Sequence, residues 1–212
     1  SAFTGGLVKV DLNPRGGHPV YQPLENFIPE VLAFWEPIAE FAADHGVRIA
    51  FEHCPQTPFR QPVMTYNLMG AVGNWERFFD ATKLENLGLE WDPSHLVCQL
   101  IDPVVNLRKF GSRVFHVHAK DGFVDHHRLA ELGLTGAGVV EHRMPGFGQS
   151  NWSEIIHMLL RVGYDSDLNI EGWHDPVLRN HADDENDALK GCRLEDSGLR
   201  SAKQFLEQFI PR

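Results

Sequence analysis

Hydrophobic positions along this chain follow two rhythms, and glycine marks most changes from one to the other. From about Leu24 to His45 apolar residues recur at helical spacing (Ile28, Val31, Leu32, Trp35, Ile38, Phe41, Ala42), which predicts a helix with one apolar stripe. Gly46 stops it, and Val47-Arg-Ile-Ala-Phe-Glu52 then alternates as a strand does. The order then repeats. Asn74–Thr82 reads as a helix before Leu87-Gly-Leu-Glu-Trp-Asp92. Asp102-Pro103 reads as the cap and first-turn proline of a helix that Gly111 ends before Arg113-Val-Phe-His-Val-His118. Asn151-Trp-Ser-Glu154 is a capping-box pattern, and Gly163 closes that helix before Asp167-Leu-Asn-Ile-Glu171. A last helix is expected from about Asp196 to Ile210.

Helix, glycine and strand in repetition predict an α/β fold with a parallel sheet and helical crossovers. Ile49, Phe51, Leu87, Leu89, Trp91, Phe115, Val117, Leu168 and Ile170 share one strand face, all apolar. The other face carries Glu52, Glu90, Asp92, His116, His118, Asn169 and Glu171. An open doubly wound sheet needs two apolar faces, so the polar face points to the interior and mouth of a closed (β/α)8 TIM barrel. Such a barrel takes about 250 residues. This chain has 212, and its pattern supplies about four to five βα units, the last of these a stub at Ala2-Phe-Thr4. The expectation is a single domain over residues 1–212 that holds the C-terminal part of a barrel, with N-terminal strands missing.

Composition narrows the function. A net charge of −10 argues against a nucleic-acid surface. Cys54, Cys98 and Cys192 form an odd set without a C-x-x-C pair, which reads as reduced thiols. No apolar run has membrane-spanning length, and the start lacks a signal-like core, so a cytoplasmic location is the default.

The chemistry sits at the strand ends: Glu52, Asp92, His118 and Glu171. Three carboxylates and an imidazole form a hard, mostly oxygen ligand set suited to Mn²⁺, Mg²⁺ or Zn²⁺. Singly, each has a plain structural reading as a rim carboxylate, an Asp-Pro turn or a core histidine. Jointly, on one face at the carboxyl ends of successive parallel strands, they mark a site. The stretch Gly122–Ser150 is long enough to be a lid or pocket wall. Within it His126-His127-Arg128 reads as surface and Arg143 as a substrate contact, as does Lys120 before it. Gly146 and Gly148 read as a loop and not a phosphate cradle, because no Lys follows in that pattern. Trp173, next but one after Glu171, reads as a sugar-stacking platform or as rim packing.

The order Glu, Asp-x-x-His, His-x-His-Ala-Lys-Asp, Ile-Glu resembles the xylose isomerase-like TIM-barrel superfamily, closest in texture to its sugar phosphate isomerase/epimerase group. The resemblance runs from about Val47 to Asp175. It is carried by Phe51-Glu-His-Cys-Pro55, Leu87-Gly-Leu-Glu-Trp-Asp-Pro-Ser-His-Leu96, Val114-Phe-His-Val-His-Ala-Lys-Asp121 and Pro145-Gly-Phe-Gly148 with Trp152. It implies one divalent ion (Mn²⁺, Mg²⁺, Zn²⁺ or Co²⁺) held by Glu52, Asp92, His118 and Glu171, with His95 and His116 toward substrate. The implied activity is isomerisation or epimerisation of a small carbohydrate or polyol ketone. Glu52 and Glu171 would move the α proton through a metal-stabilised enediolate. A homo-oligomer is compatible with it. A lyase of the inosose dehydratase type would use the same site. An endonuclease IV-like DNA hydrolase is disfavoured by the acidity and by the lack of a second Asp-x-His pair after His118.

Overall fold

The computed structural model of the chain describes residues 10–11, 20–21, 24–55, 67–172, 175–178 and 188–211. Ala2–Thr4, the expected strand stub, lies outside them. The chain divides into two compact units, Ser1–Glu90 and Trp91–Arg212. Among the described residues no helix is long and apolar enough to cross a membrane.

In the first unit, β1 (Val10–Asp11) and β2 (Val20–Tyr21) pair antiparallel. A 3₁₀ turn at Leu24–Phe27 leads into α1 (Ile28–Asp44), which ends where Gly46 takes φ +69°. β3 (Ile49–Glu52) and β4 (Leu87–Trp91) pair in parallel, Ile49 beside Leu87 and Glu52 beside Glu90, with α2 (Gly73–Ala81) between them in sequence. Aromatic edge-to-face contacts build the core: Trp35 on Phe51 at 5.1 Å, Phe51 on Phe78 at 5.7 Å, and the buried His53 on Trp75 at 5.0 Å. The stripe read on α1 divides. Ile28, Leu32 and Ala39 are buried, whereas Ile38 and Phe41 stand exposed with Phe34. These three lie further round the helix at i, i+4 and i+7, so periodicity found the apolar arc but not which side of it is covered.

The second unit opens on α3 (Pro93–Val97), capped by Asp92. In α4 (Pro103–Phe110) the Asp102 carboxylate accepts from the Val104 and Val105 amides, as read. β5 (Val114–Ala119) follows. The stretch read as a lid is an antiparallel hairpin, β6 (Asp121–Val124) and β7 (Val140–Arg143), around α5 (His126–Leu132). α6 (Trp152–Arg161) starts at Asn151, whose side chain accepts from the Glu154 amide. β8 (Leu168–Ile170) pairs parallel to β5, and α7 (Ala188–Leu206) closes the unit. Trp91, Leu107, Val117, Trp152 and Ile155 are among its buried apolar residues.

α4 and α6 pack on each other. Directly after α4, Gly111 lies so close to Val162 that a Cβ would stand 2.6 Å from the valine Cβ. Gly111→Ala is therefore expected to destabilise the second unit by about 1–3 kcal/mol, through overpacking, read as a lower urea midpoint. Gly163→Ala meets no neighbour and is strained only through its φ of +83°.

Candidate active site

Alternation along β5 turns His116 and His118 to one face. The parallel ladder sets His118 beside Asn169 and Ala119 beside Ile170, and the Glu171 amide extends it by donating to the Ala119 carbonyl at 3.2 Å. Lys120 and Glu171 therefore leave the strand ends side by side. Lys120 Nζ donates to Glu171 Oε2 at 2.7 Å and lies 3.1 Å from Asp92 Oδ2. His118 Nδ1 is 3.1 Å from the same Glu171 oxygen. Asp92 divides its oxygens between two tasks. Oδ1 accepts from the Ser94 amide at 2.8 Å and starts α3, while Oδ2 faces Lys120 and, at 3.3 Å, His95 Nε2. The start of α3 and the ends of β5 and β8 thus bring together Asp92, His95, His118, Lys120 and Glu171.

Charge sets the protonation here. Burial works to raise the Glu171 pKa, but the His118 hydrogen bond and the Lys120 ammonium outweigh it and hold it at about 2. Burial works to lower the Lys120 pKa, but Asp92 and Glu171 raise it to about 12. The site thus holds an ionised Glu171 carboxylate against a fixed Lys120 cation. Neighbouring donor atoms on one ion, each about 2.1 Å from it, are themselves roughly 3.0–3.4 Å apart. The 3.1 Å between His118 Nδ1 and Glu171 Oε2 has that spacing. A carboxylate oxygen and an imidazole nitrogen so spaced are chemically suited to a divalent ion. Burial also pushes the Cys98 thiol up to about 12, assisted by Asp92, which keeps it a protonated core thiol.

Other residues from the sequence reading have partners of their own. Glu52, half-buried in the first unit, ends β3, and the Asn67 amide clamps its carbonyl at 2.7 Å and that of Cys54 at 3.0 Å. His116 is hydrogen-bonded to Asn169 at 2.8 Å with its ring edge-on to His118. Arg143 donates from Nε to Asp175 Oδ2 at 3.2 Å. Trp173 lies outside the described residues.

Sequence reasoning missed two buried carboxylates. Asp121 Oδ1 accepts from the Gly122 and Ser150 amides, each at 2.9 Å, and Oδ2 from the Gly146 amide and Trp152 Nε1, each at 3.2 Å. The loop 146–150 thus closes on a carboxylate of its own chain, and a Cβ at Gly148 would collide with Asp121. Asp175 gathers the Met144, Val177 and Leu178 amides as well as Arg143. It lies in a stretch without periodicity, and only the Asp of His-Ala-Lys-Asp carried any signal for the other. His142 is half-buried and hydrogen-bonded to Ser94.

A family model for the xylose isomerase-like TIM barrel matches residues 8–195. The chain belongs to that family. Its parallel strand pairs and crossover helices are part of the family's (β/α)8 barrel. It is similar to an inosose dehydratase of Clostridium botulinum, 29% identical over 150 residues, 68% of this chain and 46% of that protein. In fold it is similar to an IolI protein solved with a bound zinc atom (TM-score 0.59, 16% identity, 89% of this chain and 58% of that one). It is likewise similar to a D-allulose 3-epimerase from Methylomonas sp. solved with D-allulose (TM-score 0.54, 17% identity, 86% and 55%). The chain spans about half the length of the curated relatives it matches.

Two outcomes follow from the charges. Lys120→Met removes one of the two groups that hold Glu171 down, so the Glu171 carboxyl, followed by ¹³C NMR, should titrate higher, toward the ordinary carboxylate range. Burial works to raise the Asp175 pKa, but the Leu178, Met144 and Val177 amides and Arg143 lower it below its ordinary value. A depressed folded pKa gives stability that is present above the unfolded value of about 3.9 and is lost as pH falls through the folded value. Asp175→Asn should lower the urea midpoint at neutral pH, and the gap between variant and parent should narrow below about pH 4.

Proposed function

We propose that this chain carries the metal-binding and proton-transfer part of a divalent-metal-dependent isomerase or epimerase of a small sugar or polyol ketone. The observation that supports this reading is that Lys120 Nζ lies against both Asp92 Oδ2 and Glu171 Oε2 while His118 Nδ1 stands 3.1 Å from the same Glu171 oxygen. Asp92, His118 and Glu171 would hold the ion (Mn²⁺, Mg²⁺, Zn²⁺ or Co²⁺), and Glu52, from the family pattern, is the fourth ligand. When bound, the ion would supply Lewis-acid polarisation of the substrate carbonyl.

The chain's own groups do the rest. Glu52 and Glu171 exchange the proton on the carbon next to the carbonyl. Glu171 binds a proton weakly while Lys120 sits on Oε2, so a substrate oxygen that draws the ammonium away would make it the stronger base. Lys120, His95 and His116 orient hydroxyl groups, and Arg143 contacts the substrate from β7. A lyase reading is favoured by the likeness to an inosose dehydratase. It shares the first proton abstraction and differs in its product.

Incubation with ketoses and inososes in D₂O, followed by NMR, tests the assignment together with metal analysis of the purified protein. Solvent deuterium is expected at the carbon next to the carbonyl, in protein that carries a divalent ion. Glu171→Gln should keep much of the metal and lower exchange by about 10²-fold or more. Conversion without any exchange would contradict the proton-transfer role and indicate a hydride shift.

A further inference from the structure

We infer that Asp175 is a positioning residue for substrate recognition: by holding Arg143 at Nε it aims the terminal nitrogens of the guanidinium at an oxygen of the substrate. The inference rests on the proposed function in taking Arg143 as a substrate contact.

Backbone pairing puts both residues at the strand ends that carry the candidate chemistry. Arg143 closes β7 as the cross-strand partner of Asp121, the residue after Lys120. The Asp175 amide donates to the carbonyl of Gly172, the residue after Glu171, at 3.0 Å. Packing locks the two segments together. A Cβ at Gly172 would collide with the thioether of the buried Met144, so only glycine lets that side chain seat there.

The fully buried Asp175 carboxylate divides its oxygens. Oδ1 accepts from the Val177 and Leu178 amides at 2.8 and 2.9 Å, which closes its own turn. Oδ2 accepts from the Met144 amide at 2.8 Å and from Arg143 Nε at 3.2 Å. Backbone amides thus already satisfy this carboxylate. It takes a single N–H from the arginine, whereas an ion pair in its strongest form is bidentate. A guanidinium is planar, so a partner on Nε sets the plane and leaves the N–H groups of both terminal nitrogens to donate. Nη1 stands 3.8 Å from Glu141 Oε2, an ion-pair contact beyond hydrogen-bond reach. With 15% of its side chain exposed, Arg143 stays accessible to a small ligand. Asp175 therefore orients the arginine without consuming its fork. A guanidinium aimed in this way grips the same oxygen before and during reaction, so its loss shows in KM and not in kcat.

The test pairs ¹H–¹⁵N NMR of the Arg143 Nε–H group in the whole protein with steady-state kinetics on D-allulose, D-fructose and inosose. In the parent this N–H should exchange slowly with solvent. Asp175→Asn should speed that exchange and raise KM about 10-fold, while kcat changes by less than about threefold. Arg143→Ala should raise KM at least as far. The double variant Asp175→Asn/Arg143→Ala should raise it no further than Arg143→Ala alone, because Asp175 acts through the arginine. Arg143→Lys leaves Asp175 and its amides in place, but a single ammonium cannot serve both partners, so its KM should match that of Arg143→Ala. A parental KM in folded Asp175→Asn or in Arg143→Lys, or additive effects in the double variant, would overturn the inference while turnover in the parent leaves the proposed function standing. A parent that turns over none of these compounds would remove the proposed function, and the inference with it.

Discussion

Asp92 and Lys120 are almost wholly buried, and a charge taken out of water costs several kcal/mol unless a partner is waiting. Each supplies the other's partner, and Glu171 completes the set. The arrangement tolerates little slippage. A one-residue shift of β8 against β5 would turn Glu171 away from Lys120. Loss of the α3 cap would free the Asp92 carboxylate to rotate. Register, cap and charge therefore depend on one another, and the candidate chemistry inherits its geometry from the need to neutralise these ions.

The same need organises the walls. Asp121 and Asp175 are buried carboxylates that each collect several backbone amides, and they tie together segments with no regular structure of their own. Asp121 fixes the turn after β7 and the start of α6, while Asp175 fixes Arg143 and the start of that turn. Glycines at 122, 148 and 172 give the close approaches: Val97, Asp121 and Met144 occupy the space a Cβ would need.

Much of this was legible from local pattern. Alternation placed β3, β4, β5 and β8 and put His118 and Glu171 at their ends, and the caps at Asp102 and Asn151 needed only neighbouring residues. What escaped was set by distant partners. Hairpin β6–β7 is short and half-polar, and its place depends on Asp121 and Gly122 meeting residues some 25 to 30 positions away in sequence. Nothing near His142 in sequence announces its partner Ser94. Asp92 read as either a turn former or a ligand; one of its oxygens caps α3 while the other faces Lys120, a partner that no local pattern announces. Ile38 and Phe41 belonged to the predicted arc of α1 but stand outside its buried part.

The central claim is that His118 and Glu171, already spaced like two ligands of one ion, bind the same divalent cation. Titration with Co²⁺, followed by the ¹⁵N and ¹H resonances of the His118 imidazole, tests it most directly. The account predicts large paramagnetic shifts of His118 that saturate with the cobalt absorption band and are lost or much weakened in Asp92→Ala. Cobalt binding that leaves the His118 resonances diamagnetic would contradict it.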